Sequence, residues 1–322
     1  MTPTAKILPV VGAVAAMTLL PGPFASARDQ GPSLTGRAIL AAETLAEGPP
    51  SGAALEVPLG TPTVVNGITF QRPQQPVIGF SAIVAERKPG EYLAMPDNGY
   101  GGKANSRDFL IRAYPIDPDF KTAHGGSGDV EVGHFIQFRD PNHKLGFTIV
   151  NEATPDRLLT GGDIDPESLQ RGRNGDFWMG EEFGPWILHF DGRGVLLDPP
   201  YPVPGGLMSP NNPFLPVGAP FTQPNSRGLE AMAITPDGKY LYATLEGATV
   251  ADGTTSQVRK VFEFSVAAKS FTGREWKLRT ESAANLVADA WGLDSHRMVV
   301  IERDAGKGLT AVFRRVYVVD LK

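Results

Sequence analysis

Arg227-Gly228-Leu229-Glu230-Ala231-Met232-Ala233-Ile234-Thr235-Pro236-Asp237-Gly238-Lys239-Tyr240-Leu241-Tyr242-Ala243-Thr244-Leu245-Glu246-Gly247 reads as two short strands around a tight turn. Pro236 presets φ for the turn, and Gly238 accepts the positive φ that side chains resist. The flanks, residues 231–234 and 240–245, are aliphatic and aromatic runs of strand length. In an antiparallel hairpin the start of the first strand and the end of the second share an edge. Arg227, Glu230 and Glu246 are therefore expected together at one end, with the turn at the other.

Three more stretches fit this template. Phe80-Ser81-Ala82-Ile83-Val84 leads through Lys88-Pro89-Gly90 to Tyr92-Leu93-Ala94-Met95-Pro96-Asp97. Asp165-Pro166-Glu167-Ser168-Leu169 leads through residues 172–176 to Phe177-Trp178-Met179-Gly180-Glu181-Glu182. Val287-Ala288-Asp289-Ala290-Trp291 leads through residues 293–296 to Arg297-Met298-Val299-Val300-Ile301-Glu302-Arg303. Aligned this way, the copies carry a polar residue near the start of strand one (Ser81, Glu167, Glu230, Asp289) and an acid at the end of strand two (Asp97, Glu182, Glu246, Glu302). A third apolar segment follows each, at 109–116, 186–190, 261–266 and 316–321. Repeated multi-strand units predict an all-β, β-propeller-like fold, with antiparallel multi-stranded blades around a central channel. Uneven spacing between copies marks insertions. Trp178 and Trp291 lie inside strand patterns and are assigned to the core.

The N-terminus has the form of an export signal. Lys6 precedes an apolar run over 7–20, and Ala25-Ser26-Ala27 offers an A-x-A cleavage site. Residues 1–27 are accordingly read as a cleaved signal peptide of a secreted or cell-envelope protein. The run is too short and too broken by Gly and Pro to remain inserted in a membrane. An extension follows over 28–54, where 33–45 suits either a short helix or an early strand. The propeller domain spans 55–322, entered by a strand pair within 55–70 turned at Asn66-Gly67. Residues 123–142, with Gly125-Gly126-Ser127-Gly128, read as an insertion between units. A Gly-rich run can cradle phosphate, but no Gly-Lys-Ser/Thr follows this one and no helix opens there, so it lacks the pattern of a phosphate loop. Residues 198–224, dense in Pro, Gly and Asn, read as a long surface loop.

Composition narrows the partners. The chain has 322 residues, 41% of them hydrophobic, enough for a large core. Its formal net charge of −5 and lack of Lys/Arg clusters argue against nucleic acid. With no cysteine there are no disulfides, no thiol chemistry and no Cys-based metal sites.

If each unit is a blade, Asp97, Glu167, Glu182, Glu230, Glu246 and Glu302 converge at one end of the channel, with Arg227 and Arg303 among them. Crowded carboxylates raise one another's pKa values, and Arg or a bound cation relieves this. Asp97, Glu167, Glu182 and Glu230 are candidate ligands for a hard cation, with Ca²⁺ favoured over Mg²⁺ because irregular geometry is tolerated. Glu230, Glu246 and Glu302 are candidates for acid–base chemistry, and Arg227 and Arg303 for gripping an anionic substrate. Acids at blade edges also cap loops or pair with a neighbouring blade's Arg, which is the structural alternative for each. Asp163-Ile164-Asp165-Pro166-Glu167 lacks the sixth-position Gly and twelfth-position Glu of an EF-hand. There is no Gly-x-Ser-x-Gly elbow and no His-Glu-x-x-His. Ser81 and Ser226 read as hydrogen-bonding loop residues.

The sequence resembles the phytase-like, "esterase-like activity of phytase" family of exported bacterial proteins. The resemblance rests on Gly79-Phe80-Ser81-Ala82, Met95-Pro96-Asp97-Asn98-Gly99, Asp165-Pro166-Glu167-Ser168-Leu169, Glu181-Glu182-Phe183-Gly184-Pro185 and Arg227-Gly228-Leu229-Glu230-Ala231. It continues through Thr235-Pro236-Asp237-Gly238, Leu245-Glu246-Gly247, Glu302-Arg303-Asp304 and Arg315-Val316-Tyr317. It implies a propeller and hydrolysis of an ester or phosphoester. Members continue past the strand matching Tyr317-Val318-Val319-Asp320-Leu321 into another strand pair, whereas this chain stops at Lys322. The ring is then expected to close through its first strands or to lack a C-terminal closing segment. Three functions remain open: an exported hydrolase of phosphate or carboxylic esters, a lactonase-like propeller using channel-bound Ca²⁺, and a non-catalytic propeller binding a small ligand, glycan or protein. The oligomeric state is not indicated.

Overall fold

The Pro236-Asp237-Gly238 turn forms as read: the Gly238 N–H donates to the Thr235 carbonyl at 2.7 Å, and Gly238 has φ of 70°. A computed structural model describes residues 6–9, 33–55, 64–65, 68–69, 72–86 and 88–322. Leu229–Ile234 and Tyr240–Leu245 pair antiparallel around this turn, then Val258–Ser265 and Ser270–Arg279 complete a four-stranded sheet, blade III.

The other three repeats build matching sheets. Blade I comprises Phe80–Ala85, Tyr92–Pro96, Arg112–Pro118 and Val130–Val132, with Ile136–Gln137 also on the third strand. Blade II comprises Pro166–Arg171, Phe177–Glu181, Trp186–Phe190 and Tyr201–Pro202. Blade IV comprises Leu286–Gly292, Arg297–Arg303 and Arg314–Asp320, joined by a strand from the opposite end of the chain, Lys6–Pro9. The inner strands pack side by side in the order I, II, III, IV, and that of IV returns to that of I, giving a four-bladed propeller.

Hydrophobic burial holds three of the four seams. Phe138, Phe177 and Phe190 cluster between blades I and II, with the Phe138 ring 4.8 Å from that of Phe190. Trp178, Leu229, Met232 and Phe264 join II to III, and Tyr242, Trp276, Val287 and Val300 join III to IV. No comparable buried cluster spans IV and I among the described residues. Blade IV alternates as a half-buried sheet should. Met298, Val300 and Val319 face blade III, while Trp291, Ile301 and Val316 on the other face stay exposed. Trp291 is 45% exposed, against 2% for Trp178, so its assignment to the core is corrected. Trp291 does lie in a strand, but among the described residues no blade covers that face.

Several local readings are also resolved. Residues 33–45 hold no helix; Gly36–Arg37 and Leu45–Ala46 are short strands, and Leu40 and Ala46 pack on blade I. Residues 123–142 are less an insertion than the outer part of blade I. The expected hairpin within 55–70 is present as Val64–Val65 paired with Ile68–Thr69, while Asn66-Gly67 lies outside the described residues. The expected signal, 1–27, falls outside them too except for Lys6–Pro9. Cleavage after Ala27 would remove that strand and leave Arg314–Asp320 as an edge. Its charged residues Arg314, Arg315 and Asp320 would then discourage edge-to-edge pairing. The chain between 203 and 228 forms no strand or helix, in line with the surface-loop reading.

Asp289 on the inner strand of blade IV provides a stability test. Burial pushes its carboxyl up to about 6, opposed by the Ala290 N–H, which donates to it at 2.7 Å. A folded value above the ordinary one means stability is fully present below about pH 4 and lost as pH rises through 6. Asp289→Asn should therefore stabilise the fold at pH 8 and leave it unchanged at pH 4. The expected gain is about 1–2 kcal/mol, after discounting for partial solvent contact. Denaturant melts at the two pH values check this; equal effects at both would refute it.

Candidate functional site

Each inner strand carries a bulge at the same place. The pairing register jumps between Phe80 and Ala82, Pro166 and Ser168, Leu229 and Ala231, and Val287 and Asp289. The skipped residues are Ser81, Glu167, Glu230 and Ala288. A bulge leaves its extra residue out of the ladder and re-aims the side chain, here at the end of the central channel. Opposite the bulges stand Pro96, Glu181, Leu245 and Glu302. The next residues outward are Asp97, Glu182, Glu246 and Arg303.

This register corrects the sequence alignment of blade IV by one residue. Ala288, not Asp289, matches Glu167 and Glu230; Arg303, not Glu302, matches Glu182 and Glu246. In a strand a one-residue slip moves a side chain to the other face. Glu302 accordingly belongs with Met298 and Val300, and its Oε1 accepts the Glu281 N–H at 2.8 Å and the Asn285 Nδ2–H at 2.6 Å. It holds a loop and stands apart from the carboxylate group. Its true counterpart is Glu181, which accepts backbone N–H bonds from Asp165, Phe183 and Gly184. Burial pushes Glu181 up to about 8 against those three donors.

The remaining acids do converge. Oxygens of Asp165, Glu167 and Glu182 lie within 4.8 Å of one another, as do those of Glu182, Glu230 and Glu246. Glu182 is common to both triads, and all five residues are buried. Asp97 lies at the margin: its Oδ1 accepts the Gly99 N–H at 2.7 Å, and its charge is felt by Asp165 and Glu167. Asp165 was missed as a site residue, although it stands in the quoted repeat directly before Pro166. It lies one residue outside the strand-start and strand-end positions that define the repeat. Its Oδ1 accepts the Asn98 N–H at 3.2 Å, tying blade II to blade I. Asp163, by contrast, caps a turn through Thr160 and Val150.

The two triads differ in their counter-charge. Glu246 is held at both oxygens, by Arg303 Nη2 at 2.6 Å and Arg227 Nη1 at 2.7 Å. Arg303 also reaches Glu230 at 3.4 Å. Asp165, Glu167 and Glu182 form no ion pair among the described residues. Burial, followed by neighbouring carboxylates, raises Glu167, Glu182 and Glu230 well above the usual range. Burial and Asp97 push Asp165 up to about 7. Burial also raises Glu246 and Asp97, but Arg227 and Arg303 oppose this at Glu246.

Gly228 is what lets the blades approach. Its N–H donates to Glu182 Oε1 at 2.8 Å, and a Cβ there would lie 2.6 Å from the Glu182 Cα. Any side chain would push Glu182 out of both triads. On the outer side, the loop over 203–228 packs down beside the site: Ser209 Oγ donates to the Phe183 carbonyl and Asn212 Nδ2 to that of Gly184, both at 2.7 Å.

The family model described as "Phytase-like: Esterase-like activity of phytase" matches residues 75–322. A protein of Arthroderma benhamiae described as an uncharacterized secreted protein is 30% identical over 106 residues. That stretch covers 28% of this chain and 21% of the relative, about a fifth of its length. Among solved structures, Kuenenia stuttgartiensis hydrazine synthase has a TM-score of 0.39 at 12% identity, covering 81% of this chain and 67% of its own. A GH43 β-1,3-galactosidase has a TM-score of 0.41 at 12% identity, covering 76% and 73%. Among the described residues, no helix is long and apolar enough to cross a membrane.

Proposed function

The chain belongs to the phytase-like family, and from that premise we propose that it is an exported hydrolase of phosphate or carboxylic esters, working at the carboxylate end of its propeller channel. The observation that carries this reading is the asymmetry of the two triads sharing Glu182: one is neutralised by guanidinium groups, the other by no cation among the described residues.

The donor set fits a hard cation. Asp165, Glu167 and Glu182 offer oxygen only, are buried together, and leave negative charge uncompensated. Such clusters suit Ca²⁺, which tolerates irregular coordination. Asp165 joins Glu167, Glu182 and Glu230 as a candidate ligand, with Asp97 at the margin. A cation there would polarise a carbonyl or phosphoryl oxygen and lower the pKa of water.

The protein's own groups divide the remaining work. Glu246 is fixed by both guanidinium groups and serves as their anchor. Arg227 and Arg303 keep further N–H donors at the partly exposed rim, where they can take up the anionic oxygens of a substrate. Among the described residues Glu230 pairs only with Arg303, at 3.4 Å, which leaves it able to accept a proton from an attacking water held by the guanidinium side of the site. Burial, followed by the Glu246 charge, raises its pKa and makes it a stronger base than an exposed carboxylate. The proton it takes would leave on the departing alcohol, completing hydrolysis of the ester.

Glu230→Gln keeps the shape and removes the base. Turnover of p-nitrophenyl phosphate or p-nitrophenyl acetate should fall at least about 100-fold, with the melting temperature unchanged or raised. Unaltered turnover in this variant would sink the assignment of Glu230. Absence of turnover on both substrates by the wild-type protein with Ca²⁺ would count against the hydrolase reading. The export reading rests on the 1–27 pattern together with the secreted relative. An intact-mass measurement of the exported protein should place its first residue at Arg28.

A further inference from the structure

Blade II carries a cavity of about 650 Å³ whose lining contains no carboxylate. Trp186, at the start of the blade's third strand, meets residues 144–146 and parts of the chain between Pro199 and Phe214 around it. The walls are mostly apolar, and they run from the core to solvent: Trp186 is buried, whereas Phe214 is 48% exposed. The two rings lie 5.8 Å apart, and Phe147 packs against both, at 5.9 Å and 5.8 Å.

Hydrogen bonds hold the hollow open. Buried Asn212 is engaged at both ends of its amide: Nδ2 donates to the Gly184 carbonyl at 2.7 Å, and Oδ1 accepts the Phe214 N–H at 2.8 Å. The Met208 N–H donates to Thr222 Oγ1 at 2.8 Å, and the Met208 carbonyl accepts the Thr222 and Gln223 N–H groups, both at 3.0 Å. The Val203 N–H donates to the Pro185 carbonyl at 3.3 Å. Collapse of the loop onto Trp186 would break these bonds, so apolar wall stays turned toward water. A ligand that covers it gains the hydrophobic free energy without first having to order the loop. The volume lies within the range of small-molecule pockets.

One charge decides the class of ligand. Lys144 is the only charged residue among those lining the cavity, and it is half-buried. Its backbone N–H is held by Asp140 Oδ1 at 2.7 Å, and Asp140 itself pairs with Arg157 at 3.6 Å. The Lys144 ammonium has no ion pair or hydrogen bond among the described residues. An ammonium beside apolar wall suits an anion joined to an apolar body. A single positive charge matches a single negative one, whereas a dianion would keep charge unpaired against that wall. We propose that this cavity binds a small apolar monocarboxylate, with its hydrocarbon body against Trp186 and Phe214 and its carboxylate on Lys144. The inference goes beyond the hydrolase reading and does not depend on it.

The test is titration calorimetry of the full-length chain with octanoate. The controls are 1-octanol, the same body without the charge, and acetate, the charge without the body. Octanoate should bind about tenfold more tightly than either, since only it satisfies both wall and ammonium. Lys144→Met should weaken octanoate about fivefold and bring it level with 1-octanol. Phe214→Ala should weaken both by about threefold or more through lost apolar wall. Glu230→Gln should bind octanoate as wild type does. Lys144 has no side-chain partner to lose and Phe214 is half exposed, so both variants should keep the wild-type melting temperature. Octanoate binding unchanged in Lys144→Met, or 1-octanol bound as tightly as octanoate by the wild-type protein, would remove the ion pair and overturn the proposal. Binding untouched by Phe214→Ala, or lost in Glu230→Gln, would place the ligand outside this cavity and overturn it equally.

Discussion

Calcium at about a hundred times its dissociation constant should raise the melting temperature by roughly 5 °C at pH 8 and by almost nothing at pH 5. Binding to the folded state alone at that excess contributes about 2.7 kcal/mol. For a chain of this size each kcal/mol corresponds to a few degrees. The pH dependence comes from the ligands, which must be deprotonated to bind a metal. Burial and neighbouring charge raise Asp165 to about 7 and Glu167, Glu182 and Glu230 above the usual carboxylate range. Each raised value means that stability is fully present below about pH 4 and declines as pH climbs through the folded value. Without calcium, the melting temperature should therefore fall between pH 5 and pH 8. With calcium that decline should flatten, because the cation replaces the protons. Scanning calorimetry at the two pH values, with and without the ion, gives four numbers. A calcium effect of the same size at both, or none at pH 8, would refute binding at the buried triads.

The repeat could be read from sequence because strand pairing and turn chemistry are local. Pro236-Asp237-Gly238 specifies its own turn, and the flanking apolar runs specify strands on either side. Convergence of Glu167, Glu182, Glu230 and Glu246 followed, since equivalent positions of equivalent blades must lie at the same end. What failed was the register of blade IV. A bulge adds one residue that no apolar pattern announces, and Ala288 has no charge to draw attention. Glu302 therefore seemed to occupy the place that Arg303 holds. The consequence is chemical as well as geometric: the fourth blade contributes a cation, which neutralises the Glu230–Glu246 side and leaves the Asp165–Glu167 side negative. The grouping of Lys103 and Arg107 with Asn211 and Asn225 was not legible at all. Lys103 and Arg107 lie in one loop, Asn211 and Asn225 in another, and only packing on the Phe183 segment brings them together.

Trp178→Ala should destabilise the protein by about 3–5 kcal/mol, the range for emptying a buried aromatic site. Trp178 stacks on His189 at 3.9 Å, meets Phe264 at 5.4 Å, and fills the seam between blades II and III. The melting temperature should drop by roughly 10 °C. Trp291→Ala should cost less than about 1 kcal/mol, because nearly half of that side chain already meets water. The two tryptophans sit in similar strand patterns, so sequence periodicity alone assigns them the same role. Periodicity reports which residues share a face of a sheet; it carries no information on whether a neighbour covers that face. Blades II and III cover Trp178, whereas the outer face of blade IV, with Ile301 and Val316, has no partner among the described residues. Paired denaturant melts of the two variants decide the matter. A loss at Trp291 as large as that at Trp178 would mean that the blade IV face is buried in solution.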